Sequence, residues 1–314
     1  MDTACIRKML TNDKTIEMFD NFIAGKALGA SSNIKSIIEF ARDIVCYDSS
    51  FEDVKTTLEY MFTFFDELRG NSSIAVRNAI NALRINIAFY QTSGEMRDDI
   101  LSKCNKVSIK IKEDNQQIVD GAVKHLGHLD RLFVFDYSST VDMIVDALFH
   151  INPGMVLSVA ESRILNGGVP FVVSAIKRGE RVNFITDATM AREIEASDAV
   201  LIGAETIYKE GSVINTPGSE LAALCAKRYS TPYYVATSYL KYDARGERMF
   251  AEKDSMDSFE RILAPFLPND GFSNVSFMSH GYALVDADLI TGYFTEKGYV
   301  PSSGFLNSDG EWSV

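Results

Sequence analysis

The sequence predicts an α/β protein in which an N-terminal helical domain is followed by a doubly wound parallel-sheet domain. Three observations predict it. Apolar residues recur at helical spacing from about residue 14 to 127. From residue 131 onward, short continuous apolar runs alternate with helix-period segments. Each of those runs then ends in polar, often hydroxyl-bearing residues. At 46% hydrophobic and 24% charged over 314 residues, the chain is globular in composition and long enough for two domains, placed at 1–128 and 129–314.

The helical half reads as a series of amphipathic stripes. Ile34, Ile37, Ile38, Ala41, Ile44 and Val45 form the first at i, i+3, i+4 spacing. Ser49 and Glu52 have capping-box spacing, ahead of Phe51, Val54, Leu58, Met61, Phe62 and Phe65. A third segment carries Ile74, Ile80, Leu83 and Ile87. A fourth opens at the Thr92–Glu95 capping box and runs through Ile100, Leu101 and Cys104. The fifth carries Ile118, Val119, Val123 and Leu126 and stops at Gly127.

In the second half the runs are LFVFD (132–136), MVLSVA (155–160), VNFIT (182–186), AVLIG (199–203) and PYYVA (232–236). They are continuous rather than alternating, as strands buried on both faces require. Segments such as VDMIVDALFH and SELAALCAKRY supply the crossover helices, giving a Rossmann-like ligand-binding domain. YKEGSVI (208–214) reads as a hairpin over a Gly turn, and the acidic stretch from Ala244 to Gly271 as a long surface connection.

Charge and motif spacing exclude several functions. With 43 acidic against 31 basic residues, the net charge of −12 argues against nucleic-acid binding but leaves room for a small basic pocket. Cys5, Cys46, Cys104 and Cys225 form no CxxC pair, and His125, His128, His150 and His280 no HxxxH or HExxH, so no metal is expected. No G-x-G-x-x-G follows the first strand, which sets aside a dinucleotide oxidoreductase; no cofactor is expected. No window approaches the ~18 apolar residues of a membrane helix. The start MDTACIRKMLTNDK lacks a secretory pattern, so the expected location is cytoplasmic.

Ligands of open parallel sheets bind beyond the carboxyl ends of the strands. Asp136, Tyr137, Ser138, Ser139 and Thr140 follow the first strand and read equally as a helix cap or an anion cradle. Glu161, Ser162 and Arg163 follow the second; Arg163 suits a phosphate or a surface carboxylate. Asp187 and Glu205 follow the third and fourth, as site carboxylates or as acceptors for loop backbone. Asn215 to Ser219 open another helix, as a site or as plain turn chemistry, and Thr237 to Tyr239 follow the fifth strand. Polar groups after five successive strands mark that edge as the site.

These residues carry a resemblance. AESR (160–163), ITDATM (185–190) and LIGAETIYKEGSVINTPGSELAALCAKRYSTPYYVAT (201–237) resemble the translation initiation factor 2B α/β/δ superfamily. That superfamily includes ribose-1,5-bisphosphate and methylthioribose-1-phosphate isomerases. DADLITGYFTEKGYVPSSGF (286–305) is similar to its closing segment; the likeness spans 130–305 and covers the helical half loosely. The isomerases carry Cys after the first strand and Asp at the "GAD" strand end, where this chain has Asp136 and Glu205. The lysine position of their "NKIGT" is Thr216. Arg163, Asp187, Asn215 and Gly218 match the family, while Lys26 and Arg69 are the nearest candidates for its N-terminal arginines.

The resemblance implies a protein that binds a phosphorylated sugar or nucleotide and pairs as a homodimer or with homologous subunits. As an aldose–ketose isomerase it would use Asp136 and Glu205 as the acid/base pair. Ser138, Ser139, Arg163 and Lys26 would hold phosphate and sugar, and Asp187 and Asn215 the hydroxyls. The alternative is a non-catalytic regulatory or nucleotide-exchange subunit of a translation initiation factor assembly.

Overall fold

The computed structural model describes residues 3–24, 26, 29–245, 281–307 and 312. The chain forms two compact units. The first comprises Met1–Asp114, Tyr239–Tyr242 and Gly310–Val314, the second Asn115–Ser238 and Asp243–Asp309. The division falls within one long helix.

The helices up to that point are α1 (Thr3–Lys8), α2 (Asp13–Ile23), α3 (Ala30–Val45), α4 (Phe51–Phe65), α5 (Ile74–Arg84) and α6 (Ser93–Leu126). The stripes predicted from spacing are the buried faces: Ile34, Ile37, Ile38, Ala41, Ile44, Leu58, Met61 and Phe62 share one core with Ile80, Leu83 and Ile100. Phe19 and Phe22 of α2, Phe40 of α3 and Phe65 of α4 form its centre. Phe22 and Phe65 meet edge-on at 4.6 Å, and Phe40 stacks on Phe65 at 5.6 Å.

Three local features depart from the expectation. The cap of α4 is Ser50, which accepts from Asp53 N at 3.2 Å, one residue past the expected Ser49. α5 stops at Arg84, and Asn86 turns left-handed at φ 68°, so Ile87 falls in a separate 3-10 turn. The fourth and fifth expected helices are one 34-residue helix, α6. Its polar middle contains no Gly or Pro to interrupt it. Thr92 caps it as expected, with Glu95 N donating to Thr92 Oγ1 at 3.2 Å, but the return bond to Glu95 Oε2 comes from Gln91 N, one residue before the cap, at 3.2 Å.

The second unit runs β1 (Arg131–Val134), α7 (Ser139–Ile151), β2 (Val156–Ala160), α8 (Val169–Arg178), β3 (Val182–Ile185), α9 (Met190–Glu195) and β4 (Ala199–Ile202). There follow β5 (Thr206–Tyr208), β6 (Val213–Asn215), α10 (Ser219–Tyr229), β7 (Tyr233–Ala236), the two-residue β8 (Tyr242–Asp243), β9 (Ala283–Val285), β10 (Gly292–Thr295) and β11 (Gly298–Pro301). The main sheet has seven strands in the order β11-β10-β7-β4-β1-β2-β3, parallel except for β11. All five predicted strands lie in it. Burial on both faces holds for β1, β2, β4 and β7, but β3 is the edge strand and leaves Phe184 50% exposed.

The predicted hairpin is β5–β6, with Thr206 opposite Ile214; β6 pairs on its other side with β9. Gly211 makes the turn at φ 93°, a conformation that costs a side-chain-bearing residue more than glycine. Of the expected surface connection from Ala244 to Gly271, the part beyond Arg245 lies outside the described residues. Among the described residues no helix is long and apolar enough to cross a membrane.

The aromatic centre of the helical unit generates a stability prediction. Phe65→Ala should lower the unfolding free energy by about 3–5 kcal/mol, read as a lower urea midpoint. Phe64→Ala, at a partly buried neighbour, should cost less than half as much. Equal costs would show that the stacked group is not the core.

Candidate functional site

Strand order fixes where a site can form. β1 pairs in parallel with β2 on one side and β4 on the other. The chain proceeds outward from β1 through β2 to β3, and then resumes on the opposite side at β4. Crossovers therefore diverge at β1/β4 and leave a crevice at the carboxyl ends of those two strands. Residues after β1 and after β4 line up there: one step beyond the paired Val134 and Leu201 come Phe135 and Ile202, and the next step brings Asp136 level with Gly203.

Asp136 is the centre of the polar edge. Its backbone is left-handed at φ 57°. Its Oδ1 accepts from Ser162 Oγ at 2.9 Å and its Oδ2 from Thr216 Oγ1 at 2.7 Å, joining the loops after β1, β2 and β6. Gly167 belongs to the same cluster, because a Cβ there would overlap Asp136 Oδ1 and stand 3.1 Å from Ser162 Oγ. Burial pushes the Asp136 carboxyl above the ordinary range. The Thr216 and Ser162 hydroxyls oppose the rise, and the negative charge of Glu205 adds to it. Glu205 thus lies close enough to sense Asp136. Its backbone N–H donates to Ile214 O at 2.8 Å, and its carboxylate makes no hydrogen bond to a described residue.

The other sequence-derived candidates divide into fixed and free groups. Asp187 is fixed: Oδ1 accepts from Ser162 N and Oδ2 from Arg163 N, both at 2.9 Å, so it shapes the loop after β2. Asn215 is buried and donates through Nδ2 to Ser219 Oγ at 3.1 Å. Ser138 caps α7, accepting from Val141 N at 3.4 Å, and presses on Gly203, where a Cβ would stand 2.7 Å from its Oγ. Ser139 is exposed on the first turn of α7. Arg163 is exposed and grips Glu161 with two 3.2 Å bonds, which favour its charged form. Lys26 is exposed and belongs to the helical unit, past the end of α2; Arg69 also lies in that unit, in a π-helical turn.

Sequence reasoning leaves Ser162 and Thr216 without a role, although both hold the central carboxyl. Their part depends on a left-handed Ser162, φ 47°, and on pairing across 80 residues, for which no local pattern exists. Among the described residues, no group of three or more His, Cys, Asp or Glu could hold a metal ion.

The strand reversal defines an open-sheet α/β protein with a polar edge at the carboxyl ends of its strands. Residues 27–302 match the model of the initiation factor 2 subunit family, and the chain belongs to that family. It is 22% identical over 275 residues to a Schizosaccharomyces pombe methylthioribose-1-phosphate isomerase, covering 77% of this chain and 76% of that protein. Two solved structures from Pyrococcus horikoshii share the fold. One, of 5-methylthioribose 1-phosphate isomerase, has TM-score 0.79 and 15% identity, over 93% of this chain and 85% of that one. The other, of translation initiation factor eIF-2B, has TM-score 0.75 and 19% identity, over 93% and 98%.

The raised Asp136 pKa has a stability consequence. A carboxyl with a higher pKa folded than unfolded binds its proton more tightly in the folded state. Its ionisation therefore weakens the fold as pH climbs from the ordinary carboxylate range through the raised value. Asp136→Asn should melt above the wild-type chain at pH 7, with the gap closing as pH falls toward that ordinary range. A variant that melts lower at pH 7 would instead mark a carboxylate that folding stabilises in its charged form.

Proposed function

We propose that this chain binds a phosphorylated sugar, free or as part of a nucleotide, at the carboxyl edge of its parallel sheet, and interconverts aldose and ketose forms of that sugar. The observation that carries the reading is Asp136: a partly buried carboxyl with a raised pKa, held by two hydroxyls and sensing the charge of Glu205. Two interacting carboxyl groups in unlike surroundings are suited to hold one proton between them. Glu205 removes the proton from C2 of the 1-phosphorylated furanose while Asp136 gives its proton to the ring oxygen as the C1–O4 bond breaks, which leaves a C1=C2 enol that keeps its phosphate. The C2 hydroxyl then returns its proton to Asp136 as the carbonyl forms at C2, and C1 takes back the proton held on Glu205. Arg163, with Ser138 and Ser139, meets the phosphate. The family membership and the isomerase relative support this reading.

One observation favours a second reading, a non-catalytic subunit of a translation initiation factor assembly. Both Asp136 oxygens already accept hydrogen bonds within the protein, an arrangement suited to a fixed binding wall as well as to proton transfer. Melting the chain with ribose 1,5-bisphosphate, methylthioribose 1-phosphate, AMP and GDP tests the shared part. A ligand at 100 times its Kd stabilises by about 2.7 kcal/mol, and the absence of any shift would remove the site. Asp136→Asn then separates the readings. The isomerase loses turnover about 100-fold or more while binding persists; a subunit without turnover shows sugar unchanged by NMR in both forms.

Pairing with a second copy or a homologous subunit is part of the same proposal. Val169, Val173 and Ile176 stand exposed on one face of α8, and Phe184 on the adjoining edge strand β3. Ile176 is 68% exposed, which is unusual for a residue that gains by burial. Ile176→Asp should shift the chain to the monomer in light scattering; an unchanged assembly would place the contact elsewhere.

A further inference from the structure

We infer that Thr237 contacts the ligand directly, its hydroxyl pairing with a hydroxyl of the bound sugar. The inference rests on the proposed strand-end site and adds to it a residue with no structural duty of its own. Thr237 is the first residue past β7 and is 2% exposed. Its backbone is tied into the sheet, since its N–H donates to Phe294 O at 3.0 Å. Its Oγ1, by contrast, has no hydrogen-bond partner among the described residues. Leaving a buried hydroxyl unpaired costs about 1–3 kcal/mol. A Val of nearly the same shape would avoid that cost, so the fold alone gives no reason for the hydroxyl.

Register places this group at the site. β7 pairs in parallel with β4 through Ile202 and Val235; one step further, Gly203 is level with Ala236, and the next brings Ala204 level with Thr237. Asp136 is level with Gly203 on the other side of β4. Thr237 is thus two strands from Asp136, roughly 10 Å across the sheet, and one residue further toward the carboxyl edge. A sugar phosphate covers that span. Strand alternation puts Thr237 on the same face as Tyr233 and Val235. Tyr233 donates from its phenol to Ser219 O, the first residue of α10, at 3.0 Å, so this is the face that carries the Asn215–Ser219 turn.

Other buried polar atoms without partners lie elsewhere. Asn33 and Ser73 belong to the helical unit, and Arg131 opens β1 at the amino edge. Among the described residues, Thr237 is the one such side chain in the second unit at the carboxyl edge of the sheet.

The test compares the wild-type chain with Thr237→Val and Thr237→Ser, by melting without ligand and by titration calorimetry with methylthioribose 1-phosphate and ribose 1,5-bisphosphate. Thr237→Val should melt at or above the wild-type temperature, because it removes an unpaired polar atom, while its affinity falls about tenfold. Thr237→Ser should keep the affinity. A lower melting temperature for Thr237→Val would mean that the hydroxyl has an interior partner, and would overturn the inference. Wild-type binding with unchanged affinity in Thr237→Val would overturn it while leaving the site standing. If neither sugar phosphate binds the wild-type chain, the site and Thr237's part in it fall together.

Discussion

The parallel pairing of β1 with both of its neighbours is the constraint on which the second unit depends. Because β2 and β4 flank β1 in the same direction, every connection must cross over by a helix, and the helices must diverge at β1. Leu132, Phe133, Val134 and Phe135 are fully buried, as an interior strand requires. Burial of those side chains leaves one place where the chain can carry a polar group next to the crevice, directly after Phe135. Asp136 occupies it. Its left-handed backbone costs roughly 1–2 kcal/mol in a residue with a Cβ, and the two hydroxyl bonds to its carboxyl offset that cost.

The loops around the crevice are held by a relay of carboxylates and backbone amides rather than by cations. Asp187 fixes the amides of Ser162 and Arg163; Ser162 in turn orients the Asp136 carboxyl; Thr216 completes it from the loop before α10. No positive side chain takes part in that relay, which is why burial prevails and the Asp136 pKa rises. The identities at 136 and 216 belong together on this geometry. A lysine at 216, as in the family's usual motif, would put an ammonium against the carboxyl, hold it ionised and lower its pKa. Threonine supplies the hydrogen bond without the charge. The identity of residue 216 therefore bears on the direction in which the Asp136 pKa moves as well as on the local shape.

Much of this was legible in the sequence, because it follows from periodicity. The buried strands are continuous apolar runs, and the residues directly after them are polar; that reasoning places Asp136, Arg163 and Glu205 past β1, β2 and β4, where the structure has them. The helical stripes likewise name their own core. What periodicity misses has physical causes. The polar stretch between Cys104 and Ile118 carries little apolar signal, yet it lacks any breaker, so two expected helices are one. Ser49 and Ser50 are equally good caps by type, and only the backbone decides between them. The partners of Asp136 come from loops far apart in sequence, one of them through an unusual backbone angle at Ser162, and neither leaves a local trace.

The remaining distinction concerns which polar groups can respond to a ligand. Asp187 and Asn215 make bonds that hold loops together, and breaking them to greet a substrate would leave backbone or side-chain donors unpaired. Arg163 differs. Its link to Glu161 is exposed, two residues away, and of the kind whose net value lies between about 0 and 1 kcal/mol. On the proposed function, a phosphate would take the guanidinium from Glu161 at little cost and gain a bidentate contact. The Glu205 carboxylate makes no hydrogen bond to a described residue, so its side chain is similarly unconstrained. The carboxyl edge thus combines a hydrogen-bonded frame, Asp136 with Ser162, Thr216 and Asp187, and a few side chains at its rim that are held loosely enough to exchange partners.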